Sequence, residues 1–216
     1  MSFQVMLTQL GGGMLTSMLI FAFTLLGALP LALPLAFGRM SRCTPLRMLI
    51  QVYISIMRGT PLMLQLLVVY FGPWFLLKIP LTNGYRFYAV IIAFVLNYAA
   101  YFAEIYRAGI ESIPRGQYEA AEVLGYSKGQ TFWRIIFPQM VKRILPPVTN
   151  EVITLVKDTS LAFSIGVMEM FTLAKQIASA EKSMTALVAA AVFYYVFNAL
   201  VAWGMERFER KLAYYR

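Results

Sequence analysis

Residues 112–138 read Ser112-Ile-Pro-Arg-Gly-Gln-Tyr-Glu-Ala-Ala-Glu-Val-Leu-Gly125-Tyr-Ser-Lys-Gly-Gln-Thr-Phe-Trp-Arg-Ile-Ile-Phe-Pro138. Pro114 suits a helix start, where its missing donor costs nothing. Gly125 is placed to end that helix in a left-handed conformation, and Ser127 followed by Gln130 is a capping box that opens a second helix. Pro138 closes or kinks the second helix. The stretch predicts two short helices joined by a glycine turn. It is too polar to be embedded in a bilayer, yet long apolar runs flank it on both sides. The fold class that follows is all-α: a polytopic membrane protein carrying a helical hairpin outside the membrane.

The rest of the chain agrees. Of its 216 residues, 60% are apolar and 13% charged, and the mean hydropathy is +0.66. A soluble domain has about 45–50% apolar and about 25% charged residues, so a soluble fold is excluded, and disorder with it. With no histidine and a single cysteine, Cys43, there is no Ser-His-Asp triad, no histidine-liganded metal and no internal disulfide. The net charge of +9 belongs in a membrane protein to loops on the cytoplasmic side rather than to nucleic acid. The apolar N-terminal stretch lacks a basic n-region and outruns an h-region, so it does not read as a cleavable signal.

Five spans are expected, at about 14–37, 61–77, 87–103, 144–168 and 183–205, in one domain over 11–207 with the polar loop at 112–143. Pro30 and Pro34 fall in the first span, where neighbouring helices re-satisfy the backbone. The apolar segment 46–57 is short and ends in Arg58-Gly-Thr-Pro61, which reads as an interfacial helix. Residues 78–86, with Pro80 and Asn83-Gly84, read as a loop, and 170–182 as a second polar loop. An odd number of spans puts the termini on opposite sides. Fourteen Lys and Arg fall in the loops after spans one and three and in the C-terminal tail, against four on the other side. The positive-inside rule then predicts an N-terminus outside and a C-terminus in the cytoplasm.

Charges at membrane depth cost about 2.5–3.5 kcal/mol each on insertion scales. Span four nevertheless contains Glu151, Lys157 and Asp158, followed by Thr159 and Ser160. A helix break there would turn backbone groups toward a cavity, as transporters do at substrate sites. Lys157, Asp158, Thr159 and Ser160, with Gln65 in span two and Asn97 in span three, are the candidate substrate pathway. The competing reading is a network that holds the bundle, with Gln65 and Asn97 as interhelical hydrogen-bond partners. Phe71, Trp74 and Phe75 read as an aromatic belt.

Glu119-Ala120-Ala121, three residues, Gly125, nine residues, Ile135, one residue and Phe137-Pro138 resembles the EAA loop of permease subunits of ATP-binding cassette (ABC) importers; Phe137 stands where the usual pattern has Leu. Arg58-Gly-Thr-Pro-Leu62, Ala103-Glu-Ile-Tyr-Arg107, Gly109-Ile-Glu-Ser-Ile-Pro114 and Lys157-Asp-Thr-Ser-Leu161 look like the polar-amino-acid permeases of that superfamily, those for histidine, glutamate, glutamine, arginine and opines. The resemblance implies a type I importer of the cytoplasmic membrane in which two permease subunits, identical or paralogous, form the pathway. Two ABC ATPase subunits would dock at Glu119, Ala120, Ala121 and Gly125, and bind the ATP and Mg²⁺; an extracytoplasmic solute-binding protein would deliver a polar L-amino acid. This chain has no Gly-x-x-x-x-Gly-Lys-[Ser/Thr] loop, so it is a transporter subunit and not an enzyme. The rival function is an ion-coupled secondary amino acid transporter, which would keep the intramembrane charges but has no use for a docking hairpin.

Overall fold

The computed structural model describes residues 2–82 and 84–212; Asn83 of the expected turn and Arg216 of the basic tail lie outside the described residues. Among the described residues every regular element is helical. Helix α1 (Phe3–Arg39) runs unbroken through Pro30 and Pro34 and is capped by Ser2. It starts well before the expected residue 14. A row at every fourth position, Ile20, Thr24, Ala28, Ala32 and Ala36, is wholly buried. It lies against α4 (Tyr85–Glu111), which contributes Ala89, Ala93, Ala100 and Ala103. Small residues on both helices permit the close backbone approach on which membrane helix packing depends.

The pairs of contacting residues give each helix its direction. Phe23 meets Phe87 at one end and Arg39 meets Glu104 at the other, so α1 and α4 are parallel. Helix α3 (Leu62–Leu77) opposes them, with Tyr85 donating to the Val69 carbonyl and Asn97 facing Gln65. Helix α7 (Phe137–Asp158) also opposes α4, because Ile144 crowds Gly109 while Asp158 meets Tyr98. Helix α9 (Thr185–Leu212) runs with α1, joined to the rest through Phe21–Phe197 and Thr149–Glu209. Three helices, α1, α4 and α9, are each long and apolar enough to cross a membrane, and two bent pairs bring the count to five. The crossings alternate, so Phe3 and Leu212 lie at opposite ends of the bundle.

One bent pair is α2 (Thr44–Gly59) with α3, which meet at 111°. Pro61 has no amide to offer the carbonyl of Met57, four residues earlier. Two side chains answer that carbonyl instead: Gln65 Nε2 at 3.0 Å and Asn97 Nδ2 at 2.9 Å.

The polar loop expected over 112–143 is corrected in its second half. Helix α5 (Arg115–Val123) is short, as expected. The helix that follows is not: α6 (Lys128–Thr131), a π-turn (Phe132–Ile136) and α7 form one continuous element. Pro138 neither closes nor interrupts it. The wider π-turn lies just ahead of the proline, with the Phe137 amide donating to the Phe132 carbonyl, and the helix continues through Pro138. The second polar loop is corrected too, since residues 170–181 form α8 (Met170–Glu181). Its Met170, Thr172, Ala174 and Ile177 are buried, while Lys175, Gln176, Ser179 and Glu181 are exposed. Its partner surface is α1, where a β-carbon on Gly13 would stand 2.8 Å from the Met170 backbone.

Candidate functional site: a docking hairpin and a polar helix break

The hairpin is built as its sequence requires. Gly125 has φ +74°. The Tyr126 amide reaches back to the Ala121 carbonyl at 3.0 Å and the Gly125 amide to Glu122 at 2.9 Å, the paired bonds of a Schellman ending. The Ser127 hydroxyl accepts the Gln130 amide while Gln130 Oε1 accepts the Ser127 amide at 2.9 Å, which completes the capping box. Arg143 donates to the Ser112 carbonyl and ties the start of α7 to the end of α4.

The faces of α5 divide the EAA residues. Ala121 is 0% exposed and packs inside the hairpin, whereas Glu119, Ala120 and Gly125 face out. Beside them stand Val123 at 88% and Leu124 at 72% exposure. The two apolar residues lie next to each other at the tip of the hairpin. Sequence reading missed them because an apolar residue is taken as core by default. Behind α5, Tyr118, Tyr126 and Phe132 line a cleft, and burial pushes the Tyr118 phenol above its ordinary pKa.

The second region is where α7 stops. At Thr159 the α-helix tightens into a 3₁₀-helix (Thr159–Ile165) that ends in a left-handed Gly166. The break expected at residues 157–160 is instead a change of helix type, and the chain bends by 59° only beyond Ile165, ahead of α8. The Asp158 carboxylate takes a 2.7 Å hydrogen bond from the Tyr98 hydroxyl; Tyr98 is almost fully buried and had no sequence signal of its own. Thr159 and Ser160 turn their hydroxyls back onto the carbonyls of Val156 and Lys157. Lys157 is exposed and Ser160 half-buried. Both line a groove of about 460 Å³ against Phe171, Leu187 and Tyr194.

The structure brings Gln65 and Asn97 together but does not bring them to Asp158. Asn97 Nδ2 donates to Gln65 Oε1 at 2.9 Å as well as to Met57, and Gln65 Nε2 also reaches Thr60. Their hydrogen-bonding groups serve the α2–α3 bend, which is the bracing reading. Arg58, beside that bend, lies over the Tyr101 ring at 5.3 Å. Among the described residues no cluster of acidic or thiol groups is arranged to hold a metal ion.

Residues 28–214 match the family of binding-protein-dependent transport system inner membrane components. The chain belongs to that family and is the permease subunit of an ABC importer; hydrolysis of ATP belongs to separate subunits of such systems. It is 36% identical over 209 residues to the L-cystine transport system permease protein TcyB of Bacillus subtilis, covering 95% of this chain and 87% of the relative. To the arginine transport system permease protein ArtQ of the same organism it is 37% identical, covering 84% and 82%. Among solved structures, a crystal structure of an amino acid ABC transporter with histidines superposes with a TM-score of 0.85 at 29% identity, covering 98% of this chain and 99% of the other. An inward-facing MetNI methionine ABC transporter shares the fold, with a TM-score of 0.76 at 17% identity over 99% of this chain and 100% of the other. Membership of an ATP-driven family sets aside the ion-coupled secondary carrier.

Proposed function

We propose that this subunit imports a polar L-amino acid by alternating access, as half of a pathway completed by a second permease subunit. An extracytoplasmic solute-binding protein supplies the cargo, and two ATPase subunits bind at the hairpin. The relatives' names span cystine, arginine, glutamine and nopaline transport, and polar amino acids are the cargo they have in common. The observation that carries the reading is the outward face of α5. Glu119, Ala120, Val123 and Leu124 stand exposed on a helix whose end is fixed by Gly125, and the next helix leads without interruption to Lys157 and Asp158. Closure of the ATPases would tilt the hairpin and shift that helix, opening the pathway to the other side.

In this reading Lys157, Asp158 and Ser160 line the pathway, Thr159 is buried behind them, and Gln65 and Asn97 hold the bend beside it. The hairpin end is cytoplasmic, with the C-terminus there and the N-terminus outside. In support, Arg39, Arg42, Arg47, the hairpin and the C-terminal basic residues gather at that end of the bundle, as the positive-inside rule requires. The test is uptake of labelled cystine, arginine and glutamine into vesicles holding permease, ATPase and binding protein. Uptake should need ATP and both partners. Uptake driven by a proton gradient without the ATPase would overturn the proposal.

A further inference from the structure

One buried carboxylate lies outside the pathway just described. Glu169 is 0% exposed. Its Oε1 accepts from the Thr172 amide and the Thr172 hydroxyl, both at 2.7 Å; its Oε2 accepts from the Phe171 amide at 2.7 Å and the Tyr194 hydroxyl at 3.1 Å. Three of the four donors belong to the first turn of α8, and an uncharged Ser, Thr or Asn caps a helix equally well. A wholly buried carboxylate is costly, and a neutral side chain would cap the helix without that cost, so the cap alone does not account for it. What the longer acidic side chain adds is the reach to Tyr194 on α9. Tyr194 also stands with Lys157 and Ser160, at the start of the 3₁₀-helix, around one groove. Thr159 opens the 3₁₀-helix, and Ser17 on α1 accepts the Met170 amide. Helices α8 and α9 therefore meet at one carboxylate–phenol pair, next to the α1 contact at Met170, and Tyr194 lines the groove that holds Lys157 and Ser160.

We infer that Glu169 is a positioning residue for transport: through Tyr194 it holds the start of the 3₁₀-helix and so sets where Lys157, Asp158 and Ser160 stand. The inference rests on the assignment of that segment to the pathway. Two substitutions separate the parts of the pair. Glu169→Gln keeps one oxygen for the α8 cap but replaces the charged acceptor of the Phe171 amide and the Tyr194 hydroxyl by a neutral amide that can at most donate to Tyr194. Tyr194→Phe removes only the hydroxyl and keeps the ring.

The reporter is Ser160→Cys in a Cys43→Ser background, in the transporter reconstituted with its ATPase and binding protein. Each single variant should change the rate of maleimide labelling at position 160 at least threefold and lower the maximal uptake rate per assembled complex. The double variant should go no further than the stronger single one, because both remove the same contact. Additive effects would overturn the inference. So would a loss of thermal stability with parental labelling and uptake, which would make Glu169 a cap only. If Glu169→Gln does not assemble, Tyr194→Phe decides by the same two rates. The pathway assignment has its own readout: saturating cargo should slow labelling in the parent reporter. Absence of that protection would remove the pathway reading while the coupling of Glu169 to Tyr194 is judged separately.

Discussion

Pro61 withholds one amide, and two side-chain amides replace it at the carbonyl of Met57. Asn97→Leu leaves Gln65 Oε1 without its donor and removes one of the two from Met57. Interhelical hydrogen bonds of this kind contribute about 1 kcal/mol in membranes, so the variant should unfold a few degrees earlier in a detergent thermal-shift assay while still inserting. At Gly125 the arithmetic differs. An added β-carbon there meets nothing within 4 Å, so within this subunit a substitution costs only the left-handed strain of roughly 1 kcal/mol. Gly125→Asp or Gly125→Arg should accordingly leave the permease in the membrane and act on the docked ATPase: co-purification weakens and binding-protein-stimulated hydrolysis is lost. Ser127→Ala should do less, about 1 kcal/mol for one exposed cap. Full stimulated hydrolysis in the Gly125 variants would mean that the hairpin does not couple. Asp158→Ala frees the Tyr98 hydroxyl at depth and should impair uptake with the ATPase still bound. Wild-type uptake in that variant would remove Asp158 from both the pathway and the network.

Elements show how far residue patterns carry. The hairpin was legible because its signals are local: Gly125, Ser127 and Gln130 specify backbone geometry within a few residues. The identity of Gln65 and Asn97 as hydrogen-bonding partners was legible too. Their shared acceptor was not, since it exists only once α2 and α3 meet at 111°. Helix α8 was missed because Lys175, Gln176, Glu181 and Lys182 interrupt its apolar content at loop-like density. What makes it a helix is nonlocal: the Glu169 cap and a seat on α1 at Gly13. Pro138 misled because the helix passes through it behind a π-turn at Phe132–Ile136, and no sequence signal announces a π-turn. The seat itself is testable. A β-carbon at Gly13 would meet main-chain atoms of Met170 at 2.8–2.9 Å, which cannot swing aside. Gly13→Val should separate α8 from α1 and lower both the thermal midpoint and the uptake rate, whereas Gly12→Val, with open space around it, should change neither.

On the scale of the whole molecule, the alternating crossings give the bundle one basic end, and Cys43 lies exposed near it. With the C-terminus inside, Cys43 should react in intact cells only with reagents that cross the membrane. Labelling by an impermeant maleimide would invert the orientation. The unbroken helix from Lys128 to Asp158 carries a constraint of another kind. Each residue of an α-helix advances about 1.5 Å and turns about 100°, so the heading of the hairpin and the heading of Asp158 are locked in angular phase. One residue inserted within α7 would swing Asp158 about 100° away from Tyr98, and one deleted would swing it as far the other way. Side chains along this rod are free to change wherever packing allows; the number of residues is not. What links the docking end to the polar break is held as a count.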